Sequence, residues 1–336
     1  MKPLLIPLIA ALLAGCAATL QTPEQPGPGF AGPRLEAGDF VSFDGARLGL
    51  THWDSQPSAK PWAVVVGVHG MNDYANAFHL AAPFWAARGI ATYAYDQRGF
   101  GRSPERGIWA PDGLKVEDLR TLVALVRARY PGAVIAVAGE SMGGAVAMEA
   151  FASDRPPAAD RLILLSPAVW GWSTQALPNK TLLWIAARLA PGKTITPPRW
   201  LTAKITPTDN RSELIAMGRD PLMVWGARSD TLYGLVGTME RAWKDAGAIT
   251  GPTLYLYGAR DEIIPRTPAF EAAHRLPASD RTGYYARGWH LLLRDRQAAT
   301  VWADVAAFIR DPAAPLPSGA PPIPPPSGVV GTKAPA

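Results

Sequence analysis

Three residues of this sequence could together carry nucleophilic catalysis. Ser141 lies in Gly139-Glu-Ser-Met-Gly143, a G-x-S-x-G spacing between an apolar run, Ala133 to Ala138, and a run of small residues from Met142 to Ala152. This spacing suits a serine on a sharp strand-to-helix turn, where the flanking glycines relieve backbone crowding. The helix behind it offers unpaired N–H groups and a positive dipole end, useful where an oxyanion develops. A serine hydroxyl is a weak nucleophile at neutral pH, so it needs a base, and the base needs an orienting acid. Asp261, in Gly258-Ala-Arg-Asp261, and His290, in Gly288-Trp-His290, follow in that order, each just after a strand-like segment. Of the five histidines, His52 falls in a strand pattern, His79 and His274 in helical stretches and His69 upstream, which leaves His290 as the base. Asp230 competes as the acid but follows no core strand. Taken singly, Asp261 and His290 would pass for a loop ion pair and a loop histidine; taken with Ser141, they describe acyl transfer through a covalent serine intermediate.

The elements that must position these residues alternate. Strands are predicted at Asp39 to Phe43 and Ala46 to Trp53, joined by Asp44-Gly45, then at Trp62 to Val68, Ile90 to Tyr95, Ala133 to Ala138 and Arg161 to Ser166. Helical spacing marks Leu114 to Tyr130, and Thr253 to Tyr257, Thr282 to Ala286 and a helix at Ala298 to Ile309 resume the pattern. Such alternation predicts an α/β fold, a mostly parallel sheet with helices on both faces, whose site lies beyond the carboxyl ends of the strands. The core is expected at 38–166 and 249–311. Between them, residues 167–248 break the alternation with helix-like pieces at Lys180 to Leu189 and Leu232 to Ala246, interrupted by Pro191, Pro197, Pro198 and Pro207. An insertion this long predicts a helical cap, placed after the sixth strand. It holds six of the twelve tryptophans, expected to pack within the cap, line an apolar tunnel or face a membrane.

A chain of 336 residues can bury a large core, and its net charge of +5 comes from scattered arginines. No basic stripe, RNA-binding aromatic motif or zinc-finger spacing is present, so no nucleic-acid partner is expected. No cofactor or metal is expected either: H-E-x-x-H is missing, and Gly99-Phe-Gly101 fails as a dinucleotide fingerprint because Pro104 stands where its third glycine belongs. Residues 1–15 read as a signal peptide, with Lys2 before an apolar stretch too short to span a bilayer. Leu13-Ala-Gly-Cys16 resembles the lipobox of bacterial lipoproteins, and Cys16 is the sole cysteine of the chain. That resemblance implies lipidation of Cys16 and anchoring in the bacterial cell envelope, with Ala17 favouring the periplasmic face of the outer membrane. Residues 16–37, rich in Pro, Gly and Gln, read as a tether able to reach ~60 Å at ~3.1 Å per residue. The Pro-rich stretch 312–336 reads as a disordered tail.

Six segments together resemble the α/β-hydrolase superfamily, most closely its monoacylglycerol lipase and lysophospholipase branch. They are His69-Gly-Met-Asn-Asp-Tyr74, Tyr95-Asp-Gln-Arg-Gly-Phe-Gly-Arg-Ser103, Gly139-Glu-Ser-Met-Gly-Gly144, Leu165-Ser-Pro167, Gly258-Ala-Arg-Asp261 and Gly288-Trp-His290. The resemblance implies an acyl ester or lipid substrate and an oxyanion hole made by the backbone N–H groups of Met71 and Met142. It also implies that His69 and Gly70 shape the oxyanion loop, and that Asp96 to Arg98 braces a loop without a catalytic role. Glu140 departs from the branch, which often has histidine there, and puts a second carboxylate near the nucleophile. Three activities share these residues: lipid-ester hydrolysis, small-ester hydrolysis and acyl transfer to another acceptor. A catalytically idle envelope-binding protein is the reading from another class, and the intact set Ser141, Asp261 and His290 speaks against it.

Overall fold

A computed structural model describes residues 18–57, 60–196 and 205–326. In chain order its strands are β1 (Arg34–Leu35), β2 (Asp39–Val41), β3 (Arg47–Trp53), β4 (Ala63–Val68), β5 (Ile90–Tyr95), β6 (Val134–Glu140), β7 (Arg161–Leu165), β8 (Thr194–Ile195), β9 (Ala227–Arg228), β10 (Thr253–Gly258) and β11 (Arg281–Tyr285). The helices are α1 (Ala81–Ala86), α2 (Asp112–Arg129), α3 (Met142–Phe151), α4 (Leu177–Leu189), α5 (Arg211–Arg219), α6 (Ser229–Asp245), α7 (Arg266–Arg275) and α8 (Ala298–Arg310).

Nine strands form one sheet in the order β1-β2-β3-β5-β4-β6-β7-β10-β11. The pairs from β1 to β5 are antiparallel, and those from β5 onward are parallel. Runs such as Val64-Val-Val66 are buried on both faces, as a central parallel strand requires. Alternate side chains feed two cores. Val64, Val66, Val68, Ile135 and Val137 pack with Leu119, Leu122 and Val123 of α2 and the small residues of α3. Val65, Ala136, Ala138, Ile163 and Leu254 pack against Trp85 of α1 and Val301, Val305 and Phe308 of α8. The register aligns Val68 with Gly139 and Glu140 with Leu165, so the loops after β4, β6 and β7 leave the sheet at one rim.

Residues 167–248 hold α4, β8, α5, β9 and α6. Because the short strand β1 escaped the sequence reading, this insertion follows the seventh strand rather than the sixth. Pro197, Pro198 and Trp200 lie outside the described residues, as do residues 1–15, Cys16 and the end of the tail from 327.

Both chain ends depart from expectation. Residues 18–37 are not a free tether. Gln21 is buried, its N–H donating to Trp109 O (2.9 Å) and its side chain to Ile108 O (2.9 Å), while β1 pairs with β2. Composition reports the Pro and Gly, but a few bonds well apart along the segment fix it, Thr19 N to Asp230 (3.2 Å) and Glu24 N to Asp44 (2.9 Å) among them. Nor is 312–326 disordered: Pro321 O accepts from Tyr284 N (2.8 Å), Ile323 N donates to Thr282 Oγ1 (2.9 Å), and Leu316 and Ile323 are buried. Proline cannot donate to a ladder but its carbonyl can accept, so a Pro-rich strap covers the edge strand β11.

Candidate active site

Ser141 sits between β6 and α3 with φ 53° and ψ −118°, a conformation rare for a residue with a Cβ. The turn is held by Ser141 N donating to Leu165 O (3.0 Å) and by Ser141 O accepting from Ala168 N (2.9 Å). A Cβ on Gly143 would overlap the carbonyl oxygen of Val68, and one on Gly139 would lie 2.6 Å from Gly143 O. Both elbow glycines are therefore required by close backbone approach.

Asp261 and His290 meet on the loops after β10 and β11. His290 Nδ1–H donates to Asp261 Oδ2 at 2.8 Å, and both side chains are buried. Asp261 Oδ1 accepts from Ile263 N (2.8 Å) and Ile264 N (2.9 Å), which leaves Oδ2 for the imidazole. Burial disfavours the imidazolium, but the Asp261 carboxylate outweighs it, and His290 sits above its ordinary pKa; Glu140 adds to the rise and Arg294 opposes it. Asp230, the competing acid, is bonded instead to Arg228 (2.7 Å) and opens the cap helix α6.

Ser141 and His290 line one cavity of about 530 Å³, together with Met71, Asn72 and Asp73 of the loop after β4. Its remaining wall is mostly apolar and largely from the cap: Trp170, Met217, Val224, Trp225, Leu235 and Met239 among others. Of the tryptophans considered at the sequence level, Trp170 and Trp225 face the cavity, Trp172 packs on Tyr233 at 4.8 Å, and Trp184 is exposed. Met142 is the first residue of α3, so its N–H belongs to the four that lack an intrahelical acceptor. Its side chain packs with Phe100 and Trp109, a cluster against which the cavity-lining residues Met71, Val224 and Leu235 are packed. Gly70 lies so close to the nucleophile that a Cβ there would be 3.1 Å from Ser141 Cβ.

His69 has both ring nitrogens committed: Nδ1–H to Gly70 O (2.7 Å), and Nε2 accepting from Gln97 N (2.8 Å). Burial lowers its pKa, so it is a neutral brace for the loop after β4. Arg98 is buried and clamps Asp118 (2.7 and 2.8 Å) and Asp44 (2.7 Å), while Asp96 takes the N–H groups of Ala75 and Arg102 (both 2.9 Å). Glu140 is buried in the cavity wall and pairs with Arg294 at 2.8 Å. Arg294 and Asp73 were not singled out from the sequence, since a lone arginine four residues past a histidine carries no pattern. Among the described residues, no group of three or more His, Cys, Asp or Glu could hold a metal ion.

Strand order, elbow, acid and base define an α/β-hydrolase with a serine at its nucleophile position. The chain belongs to the family described as Serine aminopeptidase, S33, whose pattern matches residues 59–297. Among its relatives, a monoacylglycerol lipase of Mycolicibacterium smegmatis is 27% identical over 283 residues, covering 80% of this chain and 95% of that protein. A monoglyceride lipase of Homo sapiens is 24% identical over 273 residues, covering 80% and 88%. Among solved structures, a soluble variant of monoglyceride lipase from Saccharomyces cerevisiae superposes with a TM-score of 0.70 at 18% identity, covering 87% of this chain and 100% of that one. A thermostable carboxyl esterase from Bacillus coagulans gives 0.65 at 20% identity, over 81% and 96%. At these identities the structural likeness speaks for the fold.

Proposed function

We propose that this protein is a serine hydrolase that cleaves carboxylic esters of lipid-like substrates, monoacylglycerols or lysophospholipids. His290 Nε2 takes the proton of Ser141 as Ser141 attacks the ester carbonyl, and Asp261 holds the imidazole in the tautomer that leaves Nε2 free. The amides of Met71 and Met142 receive the oxyanion, the alcohol leaves with the proton, and water hydrolyses the acyl-enzyme by the reverse sequence. The observation that carries this reading is one mostly apolar cavity onto which both Ser141 and His290 open. Relatives named as monoacylglycerol and monoglyceride lipases support it.

The family description names an aminopeptidase, which needs a carboxylate free to take the substrate's ammonium group. The two carboxylates in the cavity wall, Asp73 and Glu140, are both bonded to Arg294 (2.6 and 2.8 Å). Such a wall favours an acyl chain over a charged amine.

Hydrolysis of p-nitrophenyl esters and monoacylglycerols of increasing chain length, by wild type and Ser141→Ala, tests the reading. Equal activity of the two proteins overturns it.

Envelope anchoring through a lipidated Cys16 belongs to the same proposal. It is supported by Leu13-Ala-Gly-Cys16 and by apolar side chains exposed on the cap: Leu177, Leu182, Trp184 and Leu189. Among the described residues no helix is long and apolar enough to cross a membrane. Labelled palmitate incorporated into wild type, but not into Cys16→Ser, is the expected result.

A further inference from the structure

We propose that Arg294 is a positioning residue: by joining Asp73 to Glu140 it fixes the spacing of the Met71 and Met142 amides and so the rate of attack on the substrate carbonyl. The proposal rests on the serine-hydrolase reading above.

One guanidinium nitrogen, Nη2, donates both to Asp73 Oδ2 at 2.6 Å and to Glu140 Oε1 at 2.8 Å. The two carboxylates belong to different loops. Asp73 stands two residues after Met71; Glu140 stands two residues before Met142 and next to Ser141. The bridge thus links the two loops that carry the Met71 and Met142 amides. Arg294 is itself held on the base loop, its N–H donating to Leu291 O (2.8 Å), and its Nη1 lies 3.8 Å from Met217 Sδ of the cap helix α5. Base loop, oxyanion loop, elbow and cap therefore share one side chain.

Stability alone does not account for this arrangement. All three partners are buried, and the bridge leaves Glu140 Oε2 and Arg294 Nε without hydrogen-bond partners. Incompletely satisfied buried ion clusters are poor stabilisers, and apolar replacements of similar volume often do as well or better. Both bonds leave one guanidinium nitrogen, and a guanidinium keeps its charge when buried, whereas a lysine ammonium in the same place gives up its proton far more readily. Burial opposes its charge, but the Asp73 and Glu140 carboxylates outweigh that and keep the guanidinium protonated.

The test uses the full chain carrying Arg294→Met, Arg294→Lys or Glu140→Gln, with active sites titrated by a fluorophosphonate and turnover measured on p-nitrophenyl butyrate. Misplacing a reacting group by about 1 Å, or losing one oxyanion donor, costs ~100-fold or more. Arg294→Met is therefore expected to lose about 100-fold in kcat per titrated site with KM within about threefold, and Arg294→Lys to lose less. The charged groups facing His290 are Asp261, Glu140 and Arg294. Removing the Glu140 charge should move the acid limb of the kcat/KM profile to lower pH, and removing the Arg294 charge should move it up. Wild-type kcat per titrated site in Arg294→Met overturns the proposal, whether or not the limb moves. If Arg294→Met does not fold, unchanged kcat per titrated site in both Arg294→Lys and Glu140→Gln overturns it equally. Failure of the wild type to label at Ser141 sinks the serine-hydrolase reading instead, so the two failures are distinct.

Discussion

His290 Nδ1 lies 2.8 Å from Asp261 Oδ2, and neither side chain reaches bulk solvent. The carboxylate fixes which nitrogen of the imidazole carries the proton and leaves the other as base. Asp261→Asn would keep the shape and invert the tautomer, and is expected to lower kcat by about 10⁴-fold. Steady-state kinetics on a soluble ester would measure it; a loss of less than tenfold would show that another group orients His290.

The same pair sets the pH dependence. His290 must be neutral to act as a base, and its pKa is raised above 6.5 by Asp261 against the opposing effect of burial. Activity is therefore expected to be full at alkaline pH and to fall as pH drops through a value above 6.5, and a kcat/KM profile with its acid limb below 6.5 would contradict the assignment.

Gly143→Ala should abolish the elbow. The added Cβ would meet the backbone oxygens of Val68 and His69, and neither can move without shifting β4. A destabilisation of about 3 kcal/mol or more is expected in urea unfolding, in line with overpacking that cannot relax. An alanine variant as stable as wild type would mean that the turn is looser than described.

Arg98 offers the contrast between bracing and chemistry. It holds Asp44 and Asp118 in a buried cluster outside the substrate cavity. Arg98→Met leaves two carboxylates unpaired and should cost about 3–5 kcal/mol of stability. Turnover per fluorophosphonate-titrated site should stay near wild type, and a selective loss of kcat would assign Arg98 a catalytic part.

Removing residues 312–336 should destabilise the body of the protein. Leu316 and Ile323 leave the core, and Asp304, fully buried, loses Ser318 Oγ at 2.5 Å. Burying two such aliphatic side chains contributes about 3 kcal/mol or more. The melting temperature is therefore expected to fall by several degrees. An unchanged melting temperature would mean that the strap contributes nothing.

Much of the arrangement of the site was legible in the sequence because it depends on short local patterns. Gly139, Ser141 and Gly143 declare a turn, and Asp261 and His290 each follow a strand, so topology alone brings them to one rim. Arg294, Asp73 and Glu140 were not legible as a unit, since three loops meet there and no local spacing records the meeting. The chain ends were misread for a related reason. Pro and Gly content reports backbone stiffness and missing donors, whereas Gln21 docks through its backbone N–H and side-chain amide, and Ile323 through a backbone N–H and a buried aliphatic side chain.

The path of residues 18–21 bears on how the molecule could lie against lipid. Ala18 and Leu20 share a hollow with Ala187 and Arg188 of α4, and Gln21 is pinned by Trp109 and Ile108. The start of the described chain is thus fastened beside the helix that exposes Leu182, Trp184 and Leu189. Were the protein anchored as proposed above, an end fastened there would favour the cap against the bilayer, with substrates drawn sideways out of the leaflet rather than down from the water.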